Sequence, residues 1–396
     1  MTKMDVATQL CPDPKTLRAL IAEGPSPAAA AALAAGRTPV TVEVIRVHFP
    51  ATKPMQVMLR AEGDSGLLIG EWVGPSAATR AQAESARLSK PRRGQSDGGQ
   101  APAVVADPCS GLVLRRPGFD AKLPGLRLLH DPAWAADQLQ RVGLDPASDI
   151  RLVSHRLGKR AVLKITGRTG TQYARLRPVT SGSGEAAYQR HHALWSALDG
   201  TTGLTIPRPL GFVAEAGLAL FAALPGSPPV FRGLSGYRAT RDIMRALGGL
   251  QGLAIDADRH DARDELAILD SWAERLRNVF PEVARRLRDP LARLAKDLLA
   301  LPECDRVPCH RDLHEGQILL HGDGVGLLDF DTLRLGDPAL DVGNLQAHLI
   351  LAGLMDGRSY RAFLTAMDTA LPHLPLKRIG IWRRAALLRL AIFLTK

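Results

Sequence analysis

Between Cys309 and Asp331 the sequence sets acids and an amide at intervals that suit phosphate chemistry. It reads Cys309-His310-Arg311-Asp312-Leu313-His314-Glu315-Gly316-Gln317, then the apolar run Ile318-Leu319-Leu320. The turn His321-Gly322-Asp323-Gly324 follows, and Val325-Gly326-Leu327-Leu328 leads into Asp329-Phe330-Asp331. Moving a phosphoryl group requires a residue that orients or deprotonates the attacking hydroxyl, and hard oxygen donors that hold magnesium against the phosphates. Asp312 is the candidate base, Asp329 the main metal ligand, and Gln317 offers an amide oxygen as a neutral second ligand. The apolar runs flanking Gly-Asp-Gly predict a β-hairpin that brings Gln317 and Asp329 near one another. Cys309, His310, Asp312 and His314 are also ligand types for a transition metal. Adjacent residues do not easily converge on one ion, however, and no second cluster completes a tetrahedron, so zinc is not expected.

Helical periodicity dominates from Ala239 to Lys396 and is interrupted only at Val307 to Asp331, so this loop and hairpin sit on a helical scaffold. Upstream, Leu152–Arg156, Ala161–Thr166 and Gln172–Arg177 predict a three-stranded meander. An amphipathic helix is predicted from Glu185 to Leu198, then apolar segments at 207–212 and 218–224, ended by Pro225-Gly226. Ahead of this lie a helix signal over 15–35, alternating strands near 41–49, 56–60 and 66–73, another at 111–115, and a helix opening at Asp131 or Pro132 and reaching Val142. The stretch from Gly74 to Gln100 holds almost no large apolar residue and predicts a mobile loop near 75–102.

The pattern His-x-Asp-x-x-x-x-Gln followed by Asp-Phe-Asp resembles the aminoglycoside phosphotransferase and choline kinase superfamily, which has a protein-kinase-like fold. The resemblance covers residues 150–396 and implies an ATP-dependent phosphotransferase that uses Mg2+ and takes a small-molecule hydroxyl acceptor, which would be a sugar, polyol or aminoglycoside. It implies Asp312 as the catalytic aspartate and Gln317 with Asp329 as the metal pair. His310 is similar to the family's loop-holding histidine, Asp331 to the acid that closes Asp-x-Asp, and Asp337 and Asp341 to the acids that brace the site at the following helix. Arg175 resembles the basic residue that meets the ATP phosphates from the third strand, and Glu185 the helix glutamate that pairs with it. Lys159, beside Gly158, is either a further phosphate contact or a solvated hairpin lysine. Gln317 stands where asparagine is commoner, as in sugar kinases resembling maltokinase, and Arg175 stands where lysine is usual. The competing reading, a catalytically weak pseudokinase that binds nucleotide or ligand, rests on those two departures.

The implied class is α+β, with a β-rich lobe at 150–224 and a helical lobe at 225–396, preceded by an α+β unit at 1–149. Composition is compatible with this and narrows the setting. The chain has 396 residues, 45% of them hydrophobic, and a formal net charge of +11. That charge suits a polyanion, a membrane surface or a phosphate ligand, but no aromatic residues interleave with the arginines of the 74–100 stretch as nucleic-acid stacking requires, and no nucleic-acid partner is expected. Four scattered cysteines make no disulfide framework, and no apolar run reaches membrane-spanning length. A cytoplasmic protein without membrane insertion is expected; oligomeric state is not legible.

Overall fold

The alternating apolar segments near the N-terminus pair as their pattern requires. The computed structural model describes residues 12–26, 28–29, 42–48, 54–61, 67–88, 103–116, 118–198, 203–322, 324–371 and 373–394. Helix α1 (Pro14–Glu23) begins on Asp13, whose carboxylate accepts from the Lys15 and Thr16 N–H groups. It ends at Gly24, where the chain turns at φ 71°; residues 28–29 are helical again, and the rest of the helix expected to Ala35 lies outside the described residues. Strands β1 (Val42–His48), β2 (Gln56–Ala61), β3 (Leu67–Trp72), β4 (Val104–Asp107) and β5 (Leu112–Arg115) form an antiparallel sheet in the order β1-β2-β3-β5-β4. Met55, Leu59, Leu112 and Leu114 pack with Leu20 beneath it.

The predicted mobile loop near 75–102 is corrected in its first half, where Ala77–Leu88 forms helix α2. Alanine is the strongest helix former, and its methyl group lets a helix lie close against a sheet. Ala77 and Ala81 are buried against Val104 and Val113, while Glu84, one turn on, pairs with the buried guanidinium of Arg115. A count of large apolar residues misses a helix held by methyl groups and one buried cation. Residues 89–102 lie outside the described set.

Helix α3 (Pro132–Gln140) is capped by Asp131, which accepts from the Trp134 N–H. The meander follows as β6 (Asp149–Arg156), β7 (Arg160–Gly167) and β8 (Gly170–Leu176). Helix α4 (Ser183–Ser196), β9 (Leu204–Thr205), β10 (Pro209–Val213) and β11 (Leu218–Ala222) come next, and the second sheet has the order β10-β11-β8-β7-β6. Gly125 lies so close to this sheet that a Cβ there would sit 2.4 Å from the Leu176 Cδ2 and 2.8 Å from the Ala216 carbonyl. The chain forms two compact units, residues 1–185 with 211–220 and residues 186–210 with 221–396. Both five-stranded sheets therefore fall mainly in the first unit, and most of α4 in the second.

The second unit is mostly helical. Helices α5 (Gly233–Gln251), α6 (Ala262–Val279) and α7 (Pro281–Leu299) precede β12 (Val307–Cys309), β13 (Ile318–His321), β14 (Gly324–Leu327) and β15 (Arg334–Gly336). Helices α8 (Leu340–Asp356), α9 (Arg361–Ala370) and α10 (Leu376–Leu394) close it. Leu247, Leu269, Leu294, Ile318, Leu345 and Trp382 share one apolar core. Helix α8 is buried through most of its first three turns, and Gly343 lets it meet the backbone of α10, since a Cβ there would stand 2.6 Å from the Arg383 nitrogen. No helix among the described residues is long and apolar enough to cross a membrane.

Candidate active site

Strand β12 pairs antiparallel with β15, and β13 with β14. The loop 310–317 joins β12 to β13, so its two ends are held by two different pairings. Ile318 lies opposite Leu327, and at the open end of the hairpin the Leu328 N–H donates to the Gln317 carbonyl at 2.9 Å. The backbone thus carries Gln317 alongside the residue that precedes Asp329, the juxtaposition expected of the hairpin. Asp329 itself adopts φ 61°, ψ 63°, a left-handed conformation that costs about 1–3 kcal/mol for a non-glycine residue. Such strain persists only where the surroundings over-determine it.

The loop backbone is gripped at several points. Asp341, fully buried on the first turn of α8, receives the His310 N–H on one carboxylate oxygen and the Arg311 N–H on the other, each at 2.7 Å. Burial raises its carboxyl above the usual value, against the opposing influence of His310 and Arg311. Arg311 is held at φ 69°, a second left-handed non-glycine residue. The His310 ring bridges loop and hairpin: its Nδ1 accepts from the Asp312 N–H at 3.3 Å, which leaves the proton on Nε2 to be donated to the Leu328 carbonyl at 2.6 Å. Thr332 Oγ1 donates to the His310 carbonyl at 2.7 Å, and Asn344 Nδ2 to the Leu313 carbonyl at 2.8 Å. Asn344 is in turn held by Arg389, whose guanidinium pairs with buried Glu265 at 3.3 Å. Burial alone would push the Glu265 carboxyl up, but the hydrogen bond from His260 and the charge of Arg389 outweigh it and hold it below its ordinary value. With its backbone held this way, the Asp312 side chain stands exposed at the surface of the unit.

The expected residues thus separate into groups. His310, Asp312, Gln317, Asp329 and Asp341 gather around the loop and hairpin. Asp331 follows in the turn after Asp329 and is partly buried. Asp337 serves α8 instead: its carboxylate accepts from the Ala339 N–H at 2.9 Å and from Arg378 Nε at 2.8 Å. Arg175 is half-buried on β8, opposite Val162. Lys159 is exposed at the β6–β7 turn, its N–H bonded to the Arg156 carbonyl at 2.9 Å. Glu185 is exposed on the first turn of α4 and makes no ion pair among the described residues, so the expected pairing with Arg175 is not formed. Position explains this: α4 begins at Ser183, and an acid in the first turn is already favoured by the helix N-terminus.

The zinc reading of the loop is removed by its hydrogen bonds. Cys309 Sγ faces the Val307 and Asp337 carbonyls, and both His310 nitrogens are engaged. His314 stacks on His348 with ring centroids 4.8 Å apart, and with Glu315 the two offer ligand atoms within 4.8 Å of one another. His314 Nδ1 accepts the Gly316 N–H at 3.1 Å. Burial, with His314 and Arg389 beside it, pushes His348 down to about 4.

Arg311, Thr332 and Asn344 had no part in the motif as read from sequence. Asn344 carried a usable signal, since it lies three residues after Asp341 and hence on the same helix face. The other two act through the backbone, which leaves no mark on residue type.

The sequence profile described as the phosphotransferase enzyme family matches residues 149–371. The chain belongs to that family. It is an ATP-dependent phosphotransferase acting on an alcohol group, and the match begins at residue 149. Among solved structures, the chain is similar to macrolide 2'-phosphotransferase MphH from Brachybacterium faecium, with 18% identity over 66% of this chain and 92% of that one and a TM-score of 0.49. It is also similar to aminoglycoside phosphotransferase APH(3'')-Id from Streptomyces rimosus, at 22% identity, 64% and 97% coverage and a TM-score of 0.46. No curated protein sequence matches this phosphotransferase.

Proposed function

We propose that this phosphotransferase moves the γ-phosphate of ATP to a hydroxyl group of a sugar, polyol or aminoglycoside-like acceptor. The observation that carries the reading is the immobilised loop: buried Asp341 and His310 fix the backbone up to Asp312, and Asn344 holds the Leu313 carbonyl just beyond it, while the Asp312 carboxylate stays exposed. Asp312 accepts the acceptor's hydroxyl proton as the oxygen attacks the γ-phosphorus in line. The new O–P bond forms as the bond to the ADP oxygen breaks, and ADP leaves with the bridging oxygen. Magnesium, when bound, would neutralise phosphate charge, and the Gln317 amide oxygen and the Asp329 carboxylate, both hard oxygen donors, would hold it. Arg175 and Lys159 supply positive charge to the phosphates from the sheet of β6–β8. A cytoplasmic setting suits the free thiols of Cys109, Cys304 and Cys309.

Gln317 in the loop and Arg175 on β8 favour a second reading, a module that binds nucleotide and transfers little. ADP release over a panel of sugars, polyols and aminoglycosides, compared between wild type and Asp312→Asn, separates the two. Transfer by wild type that the variant loses supports the enzyme; nucleotide binding without transfer by either protein supports the module.

A further inference from the structure

The β6–β7 turn is held from outside the family's matched region. Asp120, on the segment that leads into α3, places one carboxylate oxygen 2.6 Å from the Gly158 nitrogen and 3.2 Å from His155 Nε2, while its other oxygen accepts from the Lys122 N–H at 2.9 Å. Asp120 and His155 are both buried, at 7% and 9% exposure. Burial alone would raise the Asp120 carboxyl, but the bonds from His155 and the Gly158 and Lys122 N–H groups outweigh it and hold it below the ordinary carboxylate value. The bond to Gly158 is therefore charge-assisted, the strong kind.

Packing closes on Leu157 in this turn but leaves space around Gly158. Around Gly158 (φ 63°) the atoms that a Cβ would meet within 4 Å, outside the neighbouring residues, belong to Lys122 alone. One flank of the turn opens on a cavity of about 270 Å³ lined by Arg87, Arg115, Lys122 and Leu157 among others.

We infer that Asp120 is a positioning residue for the nucleotide: through Gly158 and His155 it fixes the β6–β7 turn, and Lys159 with it, in the shape that meets the phosphates. In protein kinases a glycine-containing loop covers the phosphates, and here the β6–β7 turn takes its rigidity from a residue ahead of the family match. This rests on the nucleotide reading above. The extra segment then orders the turn before the nucleotide arrives, so that binding does not bear that entropy cost.

The test compares full-length wild type, Asp120→Ala, Asp120→Asn and, as a control, Asp107→Asn, whose buried carboxylate holds Ser26 and Ser110 instead. Nucleotide affinity is measured by calorimetry with ADP and magnesium, and amide exchange is followed over residues 155–160. Asp120→Ala is expected to weaken nucleotide about tenfold, or ~1.4 kcal/mol, and to speed exchange at Gly158 about tenfold while central β7 keeps its protection. Acceptor KM should stay within about twofold. Asp120→Asn, which keeps one acceptor oxygen, is expected to fall between and serves if the alanine variant does not fold. Asp107→Asn should lower stability without changing nucleotide affinity. Unchanged nucleotide affinity in both Asp120 variants overturns the inference, as does unchanged Gly158 exchange. A wild type that binds no nucleotide overturns the functional reading instead.

Discussion

Replacing Asp341 with asparagine tests whether the loop is held as described. The carboxylate serves two buried N–H donors at 2.7 Å, one on each oxygen. An amide has one oxygen, so one donor keeps a partner while the other faces an NH2 group. Leaving a buried donor unsatisfied costs about 1–3 kcal/mol, and losing a charge-assisted bond about 1.5–3 kcal/mol. Removing a buried negative charge, one whose carboxyl is already raised by burial, offsets part of this. The net expectation for Asp341→Asn is a loss of roughly 2–4 kcal/mol in urea unfolding of the second unit. The kinetic effect should be larger than stability alone suggests. Arg311 keeps its left-handed backbone only while its N–H is gripped, and relaxation there shifts Asp312, the next residue. Misplacement by about 1 Å is worth about a hundredfold in rate. Steady-state ADP release should therefore show kcat falling about a hundredfold under conditions where the variant remains folded. A variant within about 0.5 kcal/mol of wild type, with kcat unchanged, refutes the argument that this carboxylate shapes the loop.

Asp312→Asn should cut kcat by about 10²- to 10⁴-fold while nucleotide affinity by calorimetry stays within about twofold. Arg115→Met leaves the Glu71 and Glu84 carboxylates without their central cation, and thermal melting should show a loss of roughly 3–5 kcal/mol. Gly343→Ala forces a methyl to within 2.6 Å of the Arg383 nitrogen, so α8 and α10 must part, at about 1–3 kcal/mol by urea unfolding. Glu265 titrates below its ordinary value in the folded protein, so its stabilisation is complete above the unfolded value of about 4.3 and is lost as pH falls through the lower folded one. Urea midpoints measured from pH 6 down to pH 3 should fall less steeply in Glu265→Gln than in wild type; equal slopes would count against the His260–Glu265–Arg389 arrangement.

Much of the candidate site could be read from residue order because its spacing is local. Asp312, Gln317 and Asp329 lie within one loop and one hairpin, and the period-two runs that predict β13 and β14 also fix which residues flank the hairpin's open end. The meander β6–β8, helix α3 and the helical second unit followed from periodicity in the same way. What holds those residues was not legible, because it joins distant parts of the chain through the backbone. Asp341 grips N–H groups that every residue except proline possesses, Thr332 grips a carbonyl, and the left-handed turns at Arg311 and Asp329 break the usual preference for glycine. Helix α2 escaped detection because alanines and a glutamate leave no apolar stripe; only the sheet behind them and the buried Arg115 make that composition stable. By itself the sequence offered the candidates for the chemistry, a base and two oxygen ligands, and an order of elements. The tertiary structure decided which carboxylates hold the backbone, as Asp341 and Asp120 do, because hydrogen bonds to a peptide group depend on where the chain passes and not on which side chains it carries.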